Sequence, residues 1–212
     1  MRTIDIAVFA RAPQAGAAKT RLIPRLGAEG AARLQAWLTV HALERAQALP
    51  GARLSLWTAG APDHEFWRQC ERRFALRLRT QPEGDLGARM AAAFASTLAE
   101  GASPMLLIGT DCPAQTTAEL AQAVLSLDAA DAVIQPAADG GYVLIGMKRP
   151  SPALFADIDW GSAQVAEQTR ARARSAEITL AELAPRPDLD TPADLDLALA
   201  CGWVPATAWD AS

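Results

Sequence analysis

Two clusters of charge in this sequence, one basic and one acidic, have the residue types and spacing to hold a phosphorylated ligand. Arg11, Lys19, Arg21 and Arg25 are the only charged residues between Ile6 and Ala28, and Gly16 lies among them just after an apolar run. A phosphate needs cations and free backbone N–H groups in a concave loop, and a glycine-containing loop after a strand supplies both. The segment is not a Walker A loop, because Pro13 and Ala18 stand where that motif requires glycine. A solvated basic loop is the competing reading. Composition weighs against it, since Lys19 is one of only two lysines among twenty basic residues.

The acidic cluster is split along the chain. Asp111 follows the apolar run Met105–Ile108 and Gly109-Thr110, and at the end of a buried strand such a carboxylate can ligate a divalent cation that bridges to phosphate oxygens. Capping of the next helix is its alternative role. Asp188 and Asp190 are two residues apart, hence on one side of an extended segment. Beside Asp111 they would complete a metal site for a diphosphate. Thr191 reads as a helix N-cap with Pro192 at the first helical position, and Asp194 suits the first-turn dipole, but neither explains two acids at 188 and 190.

Three further segments could line a ligand. Gly84-Asp85-Leu86-Gly87-Ala88-Arg89-Met90 opens a helix whose N–H groups could face a nucleotide, unless Asp85 simply caps it. Asp139-Gly140-Gly141-Tyr142 places two glycines where backbone approaches something closely or turns a hairpin, next to the chain's one tyrosine. Trp160 could stack on a base or sugar, or belong to the core. Cys112 reads as a small buried thiol, and His41 and His64 are given no role.

What must position these groups is set by composition and periodicity. The 212 residues are 50% hydrophobic and 21% charged with net charge −4, values of one globular domain spanning residues 1–212. That charge gives no field for nucleic acid or anionic lipid. Three unpaired-looking cysteines, two histidines and no G-x-S-x-G elbow argue against a disulfide framework, a thiolate zinc site and serine-hydrolase chemistry. No apolar run approaches the roughly 20 residues that span a bilayer, and a cytoplasmic location is expected. Strands are predicted at about 3–10, 53–58, 76–80, 105–110, 131–136, 142–147 and 176–180. Helices are predicted near 29–48, 63–73, 86–100, 116–127, 162–174 and 192–200. This alternation predicts an α/β fold of three layers, with helices on both faces of a mostly parallel mixed sheet. Residues 137–141 are too few for a crossover helix, so the strand at Tyr142 is expected to run antiparallel. Ligands in such sheets bind beyond the carboxyl ends of the strands, where the charged segments fall.

The ordered motifs Phe9-Ala10-Arg11-Ala12-Pro13 with Gly16 and Lys19-Thr20-Arg21-Leu22, Gly84-Asp85-Leu86-Gly87 with Arg89-Met90, Gly109-Thr110-Asp111-Cys112-Pro113, Asp139-Gly140-Gly141-Tyr142 and Asp190-Thr191-Pro192 resemble a bacterial family of glycosyltransferase A-type proteins. Its members carry labels tied to radical-SAM or arsenosugar biosynthesis. The family is similar in turn to nucleotidyltransferases such as the guanylyltransferase that activates phospholactate. The resemblance runs from about residue 4 to 200. It implies a nucleotide-diphospho-sugar transferase fold, with the loop from Arg11 to Arg25 on the phosphates and Gly84, Leu86, Gly87 and Arg89 near base and ribose. It further implies Asp111 and Asp190 on Mg or Mn. The sequence departs from the usual glycosyltransferase Asp-x-Asp, since residue 109 is glycine, and from the two-glycine Arg-Met-Pro-Lys loop of nucleotidyltransferases.

The activity expected first is metal-dependent transfer from a nucleotide-activated donor, most simply a nucleotide sugar, to a small-molecule acceptor. Lys19, Arg21 and Asp111 would carry the chemistry, and Asp139, Gly140, Gly141, Tyr142 and Trp160 the substrate. Nucleotidyl transfer with release of pyrophosphate is the alternative, and nucleotide binding without turnover a third. Oligomeric state is not legible.

Overall fold

A computed structural model describes residues 3–101 and 104–210. Seven strands form one sheet: β1 (Ile4–Arg11), β2 (Ala52–Ala59), β3 (Arg77–Thr80), β4 (Met105–Ile108), β5 (Ala132–Pro136), β6 (Tyr142–Met147) and β7 (Leu180–Glu182), in spatial order β3-β2-β1-β4-β6-β5-β7. All neighbours are parallel except β6, which runs antiparallel to both β4 and β5. The reversal follows from the short 137–141 connection, as the spacing predicts.

Between the strands lie α1 (Ile23–Gln47), α2 (Glu65–Phe74), α3 (Leu86–Ala99), α4 (Thr117–Ala129), α5 (Val165–Ser175) and α6 (Pro192–Ala200). Strand alternation sorts the core into two layers. Ile6, Val8, Leu106, Ile108 and Leu144 pack with Leu43 and Ala46 of α1, Trp67 of α2 and Leu120 of α4. Ala7, Phe9, Met105, Leu107 and Ile145 face the other way, against Met90 and Phe94 of α3 and Ala173 of α5. Because successive side chains of a strand alternate in direction, β1 and β4 feed both layers and read as nearly continuous apolar runs. A smaller cluster joins Leu34 and Leu38 of α1 to Leu195 and Ala198 of α6. It anchors the 188–190 segment through Leu189, which is buried in it.

Element bounds differ from the sequence pattern in two places that have local causes. α1 begins at Ile23, not 29, but Gly27 interrupts it with φ 71°, so the regular helix starts after that kink. The last strand starts at Leu180 rather than 176. α5 runs to Ser175, and the chain turns through Glu177 at φ 55° before Leu180 pairs with Ala132. Caps fix several starts. Thr116 with Glu119 and Thr191 with Asp194 form capping boxes, and Asp85 accepts from the Ala88 N–H at 2.8 Å. His64 caps α2 by accepting from the Phe66 N–H, a structural role that nothing in its sequence context announced. Among the described residues no helix is long and apolar enough to cross a membrane.

Candidate active site

β1 is flanked by β2, which continues outward to β3, and by β4, from which the chain builds the other half of the sheet. The carboxyl ends of β1 and β4 therefore bracket a topological switch point, where ridgeless space between diverging loops forms a crevice. A cleft of about 590 Å³ opens there. Its wall includes Arg11, Arg21, Leu86 and Arg89 as well as Asp111, Asp139, Asp188 and Asp190.

Lys19 is the centre of the acidic side. Its ammonium lies 2.7 Å from Asp111 Oδ1, 3.0 Å from Asp190 Oδ1 and 2.5 Å from the Leu189 carbonyl oxygen. An ammonium has three N–H donors, so all are spent on these partners. The side chain is only 4% exposed. Burial acts to lower its pKa, but Asp111 and Asp190 outweigh burial and the net shift is upward, so the ammonium keeps its charge. The backbone of Lys19 is left-handed at φ 45°. A second strut closes the corner, where the Leu189 N–H donates to the Asp111 carbonyl oxygen at 2.7 Å.

The Asp111 carboxylate is further held from behind. Gln35, buried on α1, donates to Thr110 Oγ1 at 3.2 Å, and Thr110 donates to Asp111 Oδ1 at 3.1 Å. The cap of α4 is Thr116, so Asp111 has no capping duty. Asp188 lies half-buried beside this corner. Burial, then the charges of Asp139, Asp190 and Asp194, push its carboxyl up to about 6. Among the described residues Lys19 and Arg21 pair with Asp111 and Asp190, and no ion pair reaches Asp139 or Asp188. Among the described residues no three metal-ligating side chains come together into an enclosed site.

The basic side is built from arginine. Arg21 is 73% exposed, with Nη1 3.9 Å from Asp190 Oδ2. Arg89 is tied down by its Nε donating to the Gly84 carbonyl oxygen at 2.9 Å, and Arg11 has no ion-pair partner among the described residues. Arg25 points elsewhere. It sits on the first turn of α1, pairs with Asp196 of α6 at 3.6 Å on the surface and does not line the cleft.

The far wall is aromatic. Trp160 meets Tyr142 edge-on with ring centroids 6.3 Å apart, and its indole presses on Gly87, where an added Cβ would lie 2.5 Å from Nε1. Gly140 is likewise obligatory: it has φ 92°, and a Cβ there would meet the Ala163 carbonyl oxygen at 2.0 Å. Both glycines shape the wall from behind rather than touching the space. Gly16 and Gly84 also lie outside the lining. Tyr142 contributes its ring only. Its hydroxyl is buried beside Thr169, short of a well-formed hydrogen bond, and burial drives its pKa upward. Asp139 accepts from the Gly141 N–H at 2.8 Å, which fixes the hairpin. Cys112 is buried, and that burial raises its thiol to about 11, the state of an inert core thiol.

Residue patterning did not point to Gln35 or to Gln81, which donates to the Trp57 carbonyl oxygen at 2.9 Å where β3 leaves the sheet. The available signal was a glutamine at 35 between small and apolar residues of one helical stripe, Ala31, Leu38 and Ala42.

The fold is that of the nucleotide-diphospho-sugar transferases. A protein from Desulfovibrio desulfuricans provisionally named a nucleotide-diphospho-sugar transferase superposes with a TM-score of 0.87 at 28% identity, over 98% of this chain and 90% of that one. The chain belongs to the family described as "uncharacterized protein conserved in bacteria (DUF2064)", whose model matches residues 42–162. Two more distant likenesses extend the fold alone. The 4-diphosphocytidyl-2C-methyl-D-erythritol synthase of Anaerococcus prevotii has a TM-score of 0.65 at 10% identity, covering 96% of this chain and 97% of that one. A manganese complex of Rv0371c from Mycobacterium tuberculosis gives 0.51 at 17%, covering 94% and 99%. No curated protein matches the sequence.

Proposed function

We propose that the cleft binds a nucleotide-activated donor and transfers its activated group, most simply a glycosyl group, to a small-molecule acceptor. The observation that carries this reading is the gathering of both signs of charge in one cleft: Arg11, Arg21 and Arg89 line it together with Asp111, Asp188 and Asp190 at the switch point of the sheet. Planar guanidinium groups suit the paired oxygens of a diphosphate. A cleft of about 590 Å³ has the size of sites that enclose small organic ligands. The Desulfovibrio protein, by its name, points to the same class of donor.

A divalent cation, Mg or Mn, fits the donor set. The outward oxygens of Asp111 and Asp190 face the cleft with side chains 46% and 40% exposed, and Asp188, raised by burial first and by neighbouring carboxylates second, stands beside them as a third oxygen donor. Magnesium is commonly held by one or two carboxylates, with phosphate oxygens and water completing its shell, so a three-carboxylate cage is not required. When bound, such an ion supplies positive charge at the diphosphate leaving group. The chain's own share is electrostatic and geometric. Arg11, Arg21 and Arg89 bind and orient the diphosphate and stabilise the charge that develops as it departs. Thr110 and Gln35 hold Asp111 in place, and Trp160 over Gly87 offers a flat apolar surface to the base or sugar. No step requires histidine or Cys112.

Thermal shift of the purified protein with a panel of nucleotides and nucleotide sugars, with and without Mn, tests this. At least one nucleotide is expected to raise the melting temperature in a Mn-dependent way. Incubation of that donor with acceptor mixtures should then release the nucleoside diphosphate. Release of pyrophosphate from a nucleoside triphosphate would assign nucleotidyl transfer instead, and binding without consumption a non-catalytic role.

A further inference from the structure

We propose that Lys19 is a positioning residue and not a phosphate ligand: its ammonium sets the separation of Asp111 and Asp190 and supplies the charge that a bare metal ion would otherwise bring. The corner then takes a divalent cation only together with a diphosphate. This rests on the reading of the cleft as a metal and nucleotide site.

Three observations carry it. The ammonium is surrounded by three oxygens at 2.5–3.0 Å, one for each N–H, so no donor is left to turn toward a ligand. Those oxygens come from Asp111, just past the end of β4, and from the 189–190 segment, about 78 residues further along the chain, which is also joined to it by the Leu189–Asp111 backbone bond. Lys19 itself is turned inward from the basic loop by a left-handed backbone, while its neighbour Arg21 points outward and is 73% exposed. One loop thus sends its lysine to the carboxylates and leaves Arg21 at the wall of the cleft. The shared Oδ1 atoms are consumed by the clamp, and what Asp111 and Asp190 present to the cleft is already partly neutralised. A metal ion without phosphate meets a weak site. A metal ion carrying a diphosphate also engages Arg11, Arg21 and Arg89.

The test is Mn binding, read by water-proton relaxation enhancement, which separates protein-bound Mn from Mn–pyrophosphate in solution. The wild-type protein, K19M and K19R are titrated with Mn alone and with Mn–pyrophosphate. Methionine keeps an unbranched apolar stem and removes the charge. Wild type is expected to bind Mn–pyrophosphate at least tenfold more tightly than Mn alone. K19M should gain at least tenfold in affinity for Mn alone, since a unit charge a few ångströms away is removed, and K19R should behave like wild type. Unchanged affinity of K19M for Mn alone, with Mn–pyrophosphate bound more weakly, would make Lys19 a phosphate ligand and overturn the proposal while leaving the site reading intact. Binding of Mn–pyrophosphate by neither wild type nor variant would remove the site reading itself, and the proposal with it. If K19M does not fold, the wild-type comparison decides: equal affinity for Mn with and without pyrophosphate contradicts the clamp.

Discussion

Two corners of this molecule bring carboxylates and cations together, and they are built on opposite principles. At the junction of α4, β5 and the 184–186 segment, Glu119 accepts from Arg186 Nε at 2.6 Å, from Gln135 Nε2 at 2.7 Å, and from both the N–H and the hydroxyl of Thr116 at 2.9 Å. Burial works to raise its pKa, but these donors prevail and hold it below the ordinary carboxylate range. Every lone pair has a partner. At the mouth of β1 and β4, by contrast, Lys19 spends all its donors and Asp188 is left without an ion pair among the described residues, its carboxyl pushed the other way by burial and by neighbouring carboxylates. A balanced corner holds elements together; an unbalanced one waits for a ligand. A buried or half-buried charge left without its counterpart costs free energy, and such a cost persists where a site needs it.

The comparison can be broken most severely at Asp111. Replacement by asparagine keeps the shape and removes the charge, so donor turnover should fall by about 10²–10³-fold, the scale of losing one electrostatic stabiliser of a developing charge. The fold should be retained with a lowered melting temperature, because the buried Lys19 ammonium keeps Asp190 but loses the charge of Asp111. A steady-state assay of donor consumption beside a melting curve measures both.

Glu119 should answer in reverse. Glu119→Ala strands Gln135 and Arg186 and is expected to cost about 2–3 kcal/mol, or roughly 4–12 °C for a domain of this size, with donor affinity retained in the folded fraction. Its stabilisation is complete above the ordinary carboxylate pKa and disappears as pH falls through the lowered folded value, so wild type and variant should converge in acid. Asp188 carries the opposite sign. A carboxyl raised in the folded state binds its proton more tightly there than when unfolded, so stability declines as pH rises from its ordinary 3.8 toward about 6. Asp188→Asn should therefore be more stable than wild type at pH 7.5, by about 1 kcal/mol after allowing for solvent screening, and the difference should vanish below pH 4. Denaturant melts across pH would show it.

The smallest effect concerns thiols. Cys201 is exposed, whereas Cys70 and Cys112 are buried with thiols raised to about 11. Iodoacetamide at neutral pH should modify Cys201 alone in the native protein, as read by peptide mass, with no loss of donor binding.

The legible part of the fold was what local pattern carries. Strand and helix alternation, the capping residues Thr191 and Asp85, and the five-residue 137–141 connection were enough to give the mixed sheet and the reversal at β6. The last strand was misplaced because Glu177 adopts a left-handed turn that no glycine marks. In the site, the gathering of Arg11, Arg21, Arg89, Asp111, Asp188 and Asp190 could be anticipated from loops that all follow strands at one edge. The partner choice of Lys19 could not, since its acceptors Leu189 and Asp190 lie 170 and 171 residues away. Nor could the sequence distinguish Arg21 from Arg25, two cations four residues apart, of which Arg21 lines the cleft near Asp190 and Arg25 pairs with Asp196 on α6.

The central claim is that the unbalanced corner receives a metal-bound diphosphate. Crystals soaked with Mn and the nucleotide identified by thermal shift, imaged by anomalous diffraction at the Mn edge, test it directly. The expected result is one Mn peak between the outward oxygens of Asp111 and Asp190 and the ligand's phosphates, with those phosphates against Arg11, Arg21 or Arg89. A bound nucleotide whose phosphates lie away from this corner, with no Mn peak at either aspartate, would contradict it.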